Sequence, residues 1–230
     1  EAIRLVNREP TQLGQSLTVE HAGQERTIDL PLIGAYQVSN ALTAAGLALA
    51  TGTEASRVWD AVARLQPVRG RLERAAIAPS GAPIYVDYAH TPDAIAAAVA
   101  ALRPHVSGRL ITVFGAGGDR DHGKRAPMGA AAAKASDVVI VTDDNPRGED
   151  PADIRRQVLE GAPQAREIGG RREAILAAIA EAGAEDIVLV AGKGHETGQI
   201  IGSGDNMRVL PFDDVDVARE CVAEIARGAA

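Results

Sequence analysis

RLITVFGAGGDRDHGKRAPMGAAAAKASDVVIVTDDNPRGED, residues 109–150, carries the pattern that decides the fold. Arg109 to Phe114 is a short apolar run of strand-forming residues, and a glycine-rich loop follows it. An alanine-rich helix then runs to Ala135, Asp137 to Thr142 forms the next strand, and a long polar loop leads to a helix over Ala152–Glu160. The same alternation extends outward. Upstream, Ile84–Asp87 reads as a strand, and Thr91-Pro92-Asp93 opens a helix to about Leu102. Thr91 suits the cap, and Pro92 sits where a missing N–H does no harm. Downstream come a helix over Arg171–Ala182, a buried strand over Asp186–Ala191 and a helix over Asp213–Arg227. Short apolar strands, each followed by a helix, predict an α/β fold whose parallel sheet is covered on both faces. Ligands of such sheets gather beyond the carboxyl ends of the strands. The loops after Val86, Phe114, Val141 and Val190 all leave from that edge.

The beginning of the chain reads differently. Residues 16–30 suggest two short strands around a turn at Ala22-Gly23. A helix is expected over Ser39–Ala50 with Gly52 as its stop, and a second over Glu54–Leu65 with Thr53 as its cap. Pro67 and Gly70 break the pattern, which places a domain boundary near residues 66–70.

Composition narrows the class. The 230 residues are 46% hydrophobic and 24% charged, ordinary for a globular protein, with aromatics at only 3%. A core built on Ala, Val, Leu and Ile suits closely packed helices on a sheet. The net charge of -7 argues against nucleic acid and anionic membrane as partners. Any anionic ligand needs a local cluster of Arg and Lys. The single cysteine, Cys221, excludes an internal disulfide and fits a reducing, cytoplasmic setting as a small buried residue. No apolar run approaches the roughly 18 to 20 residues of a membrane span. There is no signal-peptide pattern, and the opening at Glu1 reads as a cut within a longer domain.

Four loops hold the chemistry. GAGGDRDHGKR, 115–125, nearly fits two phosphate-binding motifs and fails both. Arg120 stands where G-x-G-x-x-G needs its third glycine, and Arg125 stands where a P-loop needs Ser or Thr for magnesium. Free N–H groups with Arg120, His122, Lys124 and Arg125 make either an anion site or a solvated turn. In TDDNPRGED, 142–150, Pro146 restrains a loop carrying Asp143, Asp144, Asn145 and Arg147. A guanidinium can hold a carboxylate with two parallel hydrogen bonds, and a neighbouring Asp can take an ammonium. The loop is a receptor for a zwitterionic amino acid or a capped surface turn. In VAGKGHETGQ, 190–199, glycines flank Lys193 so that backbone can approach a ligand, and Glu196 could bind another ammonium. Position 199 is Gln, so no zinc-protease motif exists, and no His/Cys metal cage appears anywhere. His195 reads equally as a plain loop residue. VDYAHTPDA, 86–94, sets Asp87 and His90 at a strand end, where they serve a nucleotide or merely the exit turn. His21 and His105 read as surface residues, Trp59 and Tyr36 as packing.

Taken in order, Gly34–Asn40 with Arg71, VDYAHTPD, GAGGDRDHGKR, and DDNPR followed by GKGHE resemble the Mur ligase family over nearly the whole chain. The DNPR and GKGHE motifs are highly specific. The resemblance implies enzymes of three domains: one for a UDP-sugar, a central ATPase and a Rossmann-like C-terminal domain. Residues 1–68 would be the tail of the central domain and 69–230 the C-terminal one. It implies an ATP-dependent ligase that adds meso-2,6-diaminopimelate to UDP-MurNAc-L-Ala-D-Glu in peptidoglycan biosynthesis, using ATP and Mg2+. The amino acid is assigned to Arg120, Asp144, Asn145, Pro146, Arg147, Gly192 and Glu196. Asn40, Arg71, Asp87 and His90 match positions that bind ATP, with Arg71 also the catalytic candidate that stabilises phosphate charge. Many relatives have Asn where this chain has Gln37, which is left out of the site. The family's phosphate loop and its magnesium-holding carbamylated lysine match nothing here and are expected upstream of Glu1, so the chain alone should not turn over ATP. Two other classes are weighed: a dehydrogenase nucleotide-binding domain, opposed by Arg120 at the third glycine position, and a non-catalytic amino-acid-binding module.

Overall fold

The computed structural model describes residues 2–228 and divides into two compact units, residues 1–67 and 68–230. In the first unit, β1 (Ile3–Thr11), β2 (Gly14–His21) and β3 (Gln24–Leu30) form an antiparallel sheet. Ala22 and Gly23 have positive φ at the predicted turn between β2 and β3. Alternate residues of β2 point inward: Leu17 and Val19 are wholly buried and meet Ile28 and Leu30 of β3. Two helices, α1 (Ala35–Ala50) and α2 (Ala55–Val62), close this core with Val38, Ala41, Ala45, Val58 and Trp59. Helix α1 begins four residues before the expected Ser39, because Gly34, at φ 93°, turns the chain directly into it. Thr53 does not cap α2. Glu54 holds the cap position and no side chain bonds there.

The second unit contains a six-stranded sheet in the order β4-β5-β9-β6-β7-β8. Its strands are β4 (Glu73–Ile77), β5 (Pro83–Asp87), β6 (Leu110–Phe114), β7 (Val138–Val141), β8 (Arg166–Glu167) and β9 (Ile187–Ala191). All neighbouring pairs are parallel except β4 with β5. Between the strands run α3 (Pro92–Leu102), α4 (Arg125–Ala135), α5 (Pro151–Leu159) and α6 (Arg171–Glu181). A hairpin, β10 (Gly198–Ile201) with β11 (Arg208–Pro211), precedes α7 (Asp214–Gly228). Helices α3, α4 and α5 pack in succession, while α6 packs on α7. Both sheet faces are therefore covered. Ile84, Val86, Val113, Val188 and Val190 bury one face under α6 and α7, and Cys221 lies in that core. At roughly 25 cal/mol per Å2 of apolar surface removed from water, this continuous burial is what holds the sheet. Thr91 caps α3 by accepting a hydrogen bond from the Ala94 N–H at 3.3 Å, as its sequence position predicts.

Strands β4, β8, β10 and β11 lie where no strand was expected, as does β1. All are edge or hairpin strands: β8, β10 and β11 are only two to four residues long, and β1 and β4 mix charged with apolar residues. Three side chains also differ from expectation. His21 and His105 are buried, at 9% and 3% exposure, and Tyr36 is exposed at 50%. His21 lies at the end of β2 with its ring edge-on to Trp59, so the inward alternation of the strand decides its place.

Candidate functional site

Four loops from the carboxyl ends of β5, β6, β7 and β9 surround a cavity of about 270 Å3. That is the lower end of the size range for small-molecule pockets, right for an amino acid. Arg120, Asp144, Asn145, Arg147, Gly192 and Glu196 all border it. His90 and Lys124 border it too, and Ala116 with Met128 supplies an apolar wall.

Arg147 adopts φ 52°, a left-handed conformation that costs a non-glycine residue about 1 kcal/mol or more. The loop is fastened there from both sides, since the Arg147 N–H donates to Ile200 O at 3.1 Å and its carbonyl accepts from Gly202 N at 2.7 Å. Nη1 donates to the carbonyls of Gly118 at 2.9 Å and Asn145 at 3.4 Å. Nη2 and Nε make no hydrogen bond among the described residues. One end of the guanidinium is thus clamped, on a residue that borders the cavity.

Asn145 is buried and fully committed. Its Oδ1 accepts from Lys193 Nζ and from Ile200 N, both at 2.9 Å, and its Nδ2 donates to Glu196 Oε2 at 3.0 Å. Asp144 accepts its neighbour's N–H at 2.7 Å and packs beside Gly192. A Cβ on Gly192 would stand 2.7 Å from Asp144 Oδ2, and its φ of 121° excludes most side chains as well. Behind these groups Arg171, wholly buried, grips Asp214 through Nε at 2.8 Å and Nη2 at 2.7 Å. Burial alone would depress this guanidinium, but Asp214 more than offsets it and raises Arg171 above the ordinary arginine value. Nη1 of Arg171 stands 3.9 Å from Asp144. Asp143 turns the other way and pairs with Arg155, while burial raises its carboxyl above the usual range.

The glycine-rich loop is corrected in one respect. Arg125 takes no part in an anion site, being wholly buried and bonded to Glu149 through Nη1 at 2.9 Å and Nη2 at 2.8 Å. Hydrogen bonding from Arg125 holds the Glu149 carboxyl far below the usual carboxylate range, at about 2. Glu149 also accepts from Asp119 N, so this pair ties the loop after β6 to the loop after β7. His122 faces Glu149 at 3.3 Å and does not border the cavity. Arg120 and Lys124 remain as its cations there, with Lys124 Nζ donating to His90 O at 3.1 Å. Pro146 lies outside the cavity wall, buried against Gly118.

Of the remaining candidates, Arg71 lies over the Tyr88 ring, 4.9 Å from its centroid. His90 and His195 contact the same ring at 4.5 and 4.9 Å. Gly194 must lack a side chain here, because a Cβ would meet Tyr88 Cβ at 2.6 Å. Both Asp87 oxygens accept backbone N–H groups, from Leu72 at 2.8 Å and Ala89 at 2.9 Å, which fold the strand exit. Burial raises the Asp87 carboxyl despite them. Asn40 belongs to the first unit, exposed on α1 and bonded to Gln37 at 3.2 Å. Sequence reasoning missed Lys193, Arg171 and Asp214 as parts of the site, because burial of a charge has no signature in a single sequence, and it assigned no role to Tyr88. Among the described residues no group of three or more His, Cys, Asp or Glu could hold a metal ion. No helix among them is long and apolar enough to cross a membrane.

Residues 70–194 match the family model for the Mur ligase glutamate ligase domain. The UDP-N-acetylmuramoyl-L-alanyl-D-glutamate–2,6-diaminopimelate ligase of Zymomonas mobilis is 64% identical over 96% of this chain, which covers 46% of that protein. A solved structure of a ligase with the same name superposes with a TM-score of 0.80 at 36% identity, over 97% of this chain and 46% of that one. A folylpolyglutamate synthase of Mycobacterium tuberculosis complexed with ADP and AMPPCP gives a TM-score of 0.59 at 25% identity, over 83% of this chain and 45% of that one. The chain therefore spans about half the length of these relatives. With more than half of its residues inside the matched domain, this chain belongs to the Mur ligase family.

Proposed function

We propose that this chain is the amino-acid-binding part of an ATP-dependent ligase that joins meso-2,6-diaminopimelate to UDP-MurNAc-L-Ala-D-Glu in peptidoglycan biosynthesis. The observation that carries the reading is the half-free guanidinium of Arg147 on the same cavity as Asp144 and Glu196. Diaminopimelate has two zwitterionic heads, one more carboxylate than lysine. The open edge of Arg147 suits that extra carboxylate with two parallel hydrogen bonds, and the two acids suit ammonium groups. Arg120 adds a second cation for carboxylate. The close names of the similar proteins support the same ligand.

In this reading ATP supplies the phosphoryl group that activates the γ-carboxylate of the acceptor's D-glutamate. The residues of this chain hold the amine so that it attacks the acyl carbon, the bond to phosphate breaks, and amide and inorganic phosphate result. Their contribution is proximity and charge stabilisation. Arg71, steadied by Tyr88, and Lys124 are the cations for developing phosphate charge, with His90 and Asp87 on the nucleotide side. A similar synthase complexed with ADP and AMPPCP supports a nucleotide as a ligand of the full-length enzyme. Among the described residues no group of three or more His, Cys, Asp or Glu is placed to hold a metal ion, and no step is assigned to magnesium.

Arg147→Ala in the full-length enzyme tests the reading. Loss of a charged hydrogen-bonding partner should raise the KM for meso-diaminopimelate about 10- to 100-fold, with the KM for ATP unchanged. An unchanged diaminopimelate KM would remove the assignment.

A further inference from the structure

Beneath the cavity lies a cation that no motif assigns. Lys193, in the loop after β9, is wholly buried. A buried ammonium is tolerated only where its N–H groups are matched. Its Nζ donates to Asn145 Oδ1 at 2.9 Å and to Gly198 O at 2.8 Å, and Glu196 Oε2 stands 3.5 Å away. With Ile200 N also donating to Oδ1, the Asn145 amide has one orientation open to it: oxygen toward the two donors, nitrogen toward Glu196. Lys193, together with the Ile200 N–H, thus holds the facing of a cavity-lining amide without bordering the cavity itself.

Asp144, Glu196 and Asp214 favour the Lys193 ammonium, and Arg171 opposes it. Burial lowers Lys193 below the ordinary lysine value.

We propose that Lys193 is a positioning residue of the amino-acid site: it acts through Asn145, whose Nδ2 holds Glu196, to aim the Glu196 carboxylate at the ligand's ammonium head. The inference rests on the cavity being the amino-acid site. A double-mutant cycle in the full-length enzyme tests it, with Lys193→Met, Asn145→Ala and the pair. Lys193→Met should raise the amino-acid KM about tenfold or more while the KM values for ATP and the nucleotide precursor stay within about twofold. Added to Asn145→Ala, it should cost less than about twofold further, since the group it acts through is gone. Fully additive effects, or all three KM values rising together, would overturn the proposal. If Lys193→Met does not fold, a crystal structure of the full-length enzyme with its amino acid decides. Nζ on Asn145 and Gly198, with the ligand across the amide, supports it; Nζ on the ligand itself overturns it. An inert Arg147→Ala would remove diaminopimelate as the ligand and leave this cycle readable with whichever amino acid the enzyme ligates.

Discussion

In the loop after β6, Arg120 stands in solvent and Lys124 is half-buried, each held by little more than a backbone carbonyl. In the loops after β7 and β9, Asp144, Asn145 and Lys193 are buried and bonded to one another or to neighbouring backbone. Both sets line or support the same cavity. Exposed cations attract an anion over a distance but are screened by salt, and their long side chains lose entropy when they settle. Buried groups have their geometry fixed before a ligand arrives, so they discriminate. On the proposed function, selectivity belongs to the β7 and β9 loops and general anion attraction to the β6 loop.

The largest effect should come from breaking the buried side at its base. Arg171→Met leaves Asp214 buried without its partner and should lower unfolding free energy by about 3–5 kcal/mol. Urea denaturation would show it, and adding Asp214→Leu should recover most of the loss. A single variant as stable as the parent would mean that the pair holds nothing. Glu149→Gln probes the tie between the two sets. The Glu149 carboxyl is depressed from an ordinary 4.5 to about 2, so the stability it contributes is complete above about pH 4.5 and lost as pH falls through about 2. Melting temperatures should place the variant below the parent at neutral pH, with the gap closing between those two values. A gap independent of pH would deny the ion pair its role. The smallest change is expected at Arg120→Ala: an increase in diaminopimelate KM of about fivefold or less that shrinks in high salt. A large, salt-insensitive loss would place Arg120 among the selective groups and erase the contrast.

The framework of the second unit was legible because its central strands are apolar runs such as LITVF and IVLVA, and alanine-rich helices follow strands such as β5 and β6. Motif spacing likewise brought Arg120, Asp144, Asn145, Arg147, Gly192 and Glu196 to one edge, and the cavity joins them. What the chain did not disclose was partnership. Arg125 lies one residue from Lys124 and is identical in chemistry to Arg120, yet Glu149 draws it into the interior. Lys193 between two glycines looks like an exposed loop cation, and the acceptors Asn145 Oδ1 and Gly198 O, with the carboxylates nearby, explain its place. Edge strands such as RVLP on β11 lack the inward alternation that marks β2, since each of its four residues is exposed.

The most direct test is a crystal of the full-length enzyme soaked with meso-diaminopimelate. One carboxylate should accept two hydrogen bonds from the open edge of Arg147, with an ammonium lying against Asp144 or Glu196. A carboxylate bound elsewhere, with the Arg147 guanidinium turned to bulk water, would contradict the account.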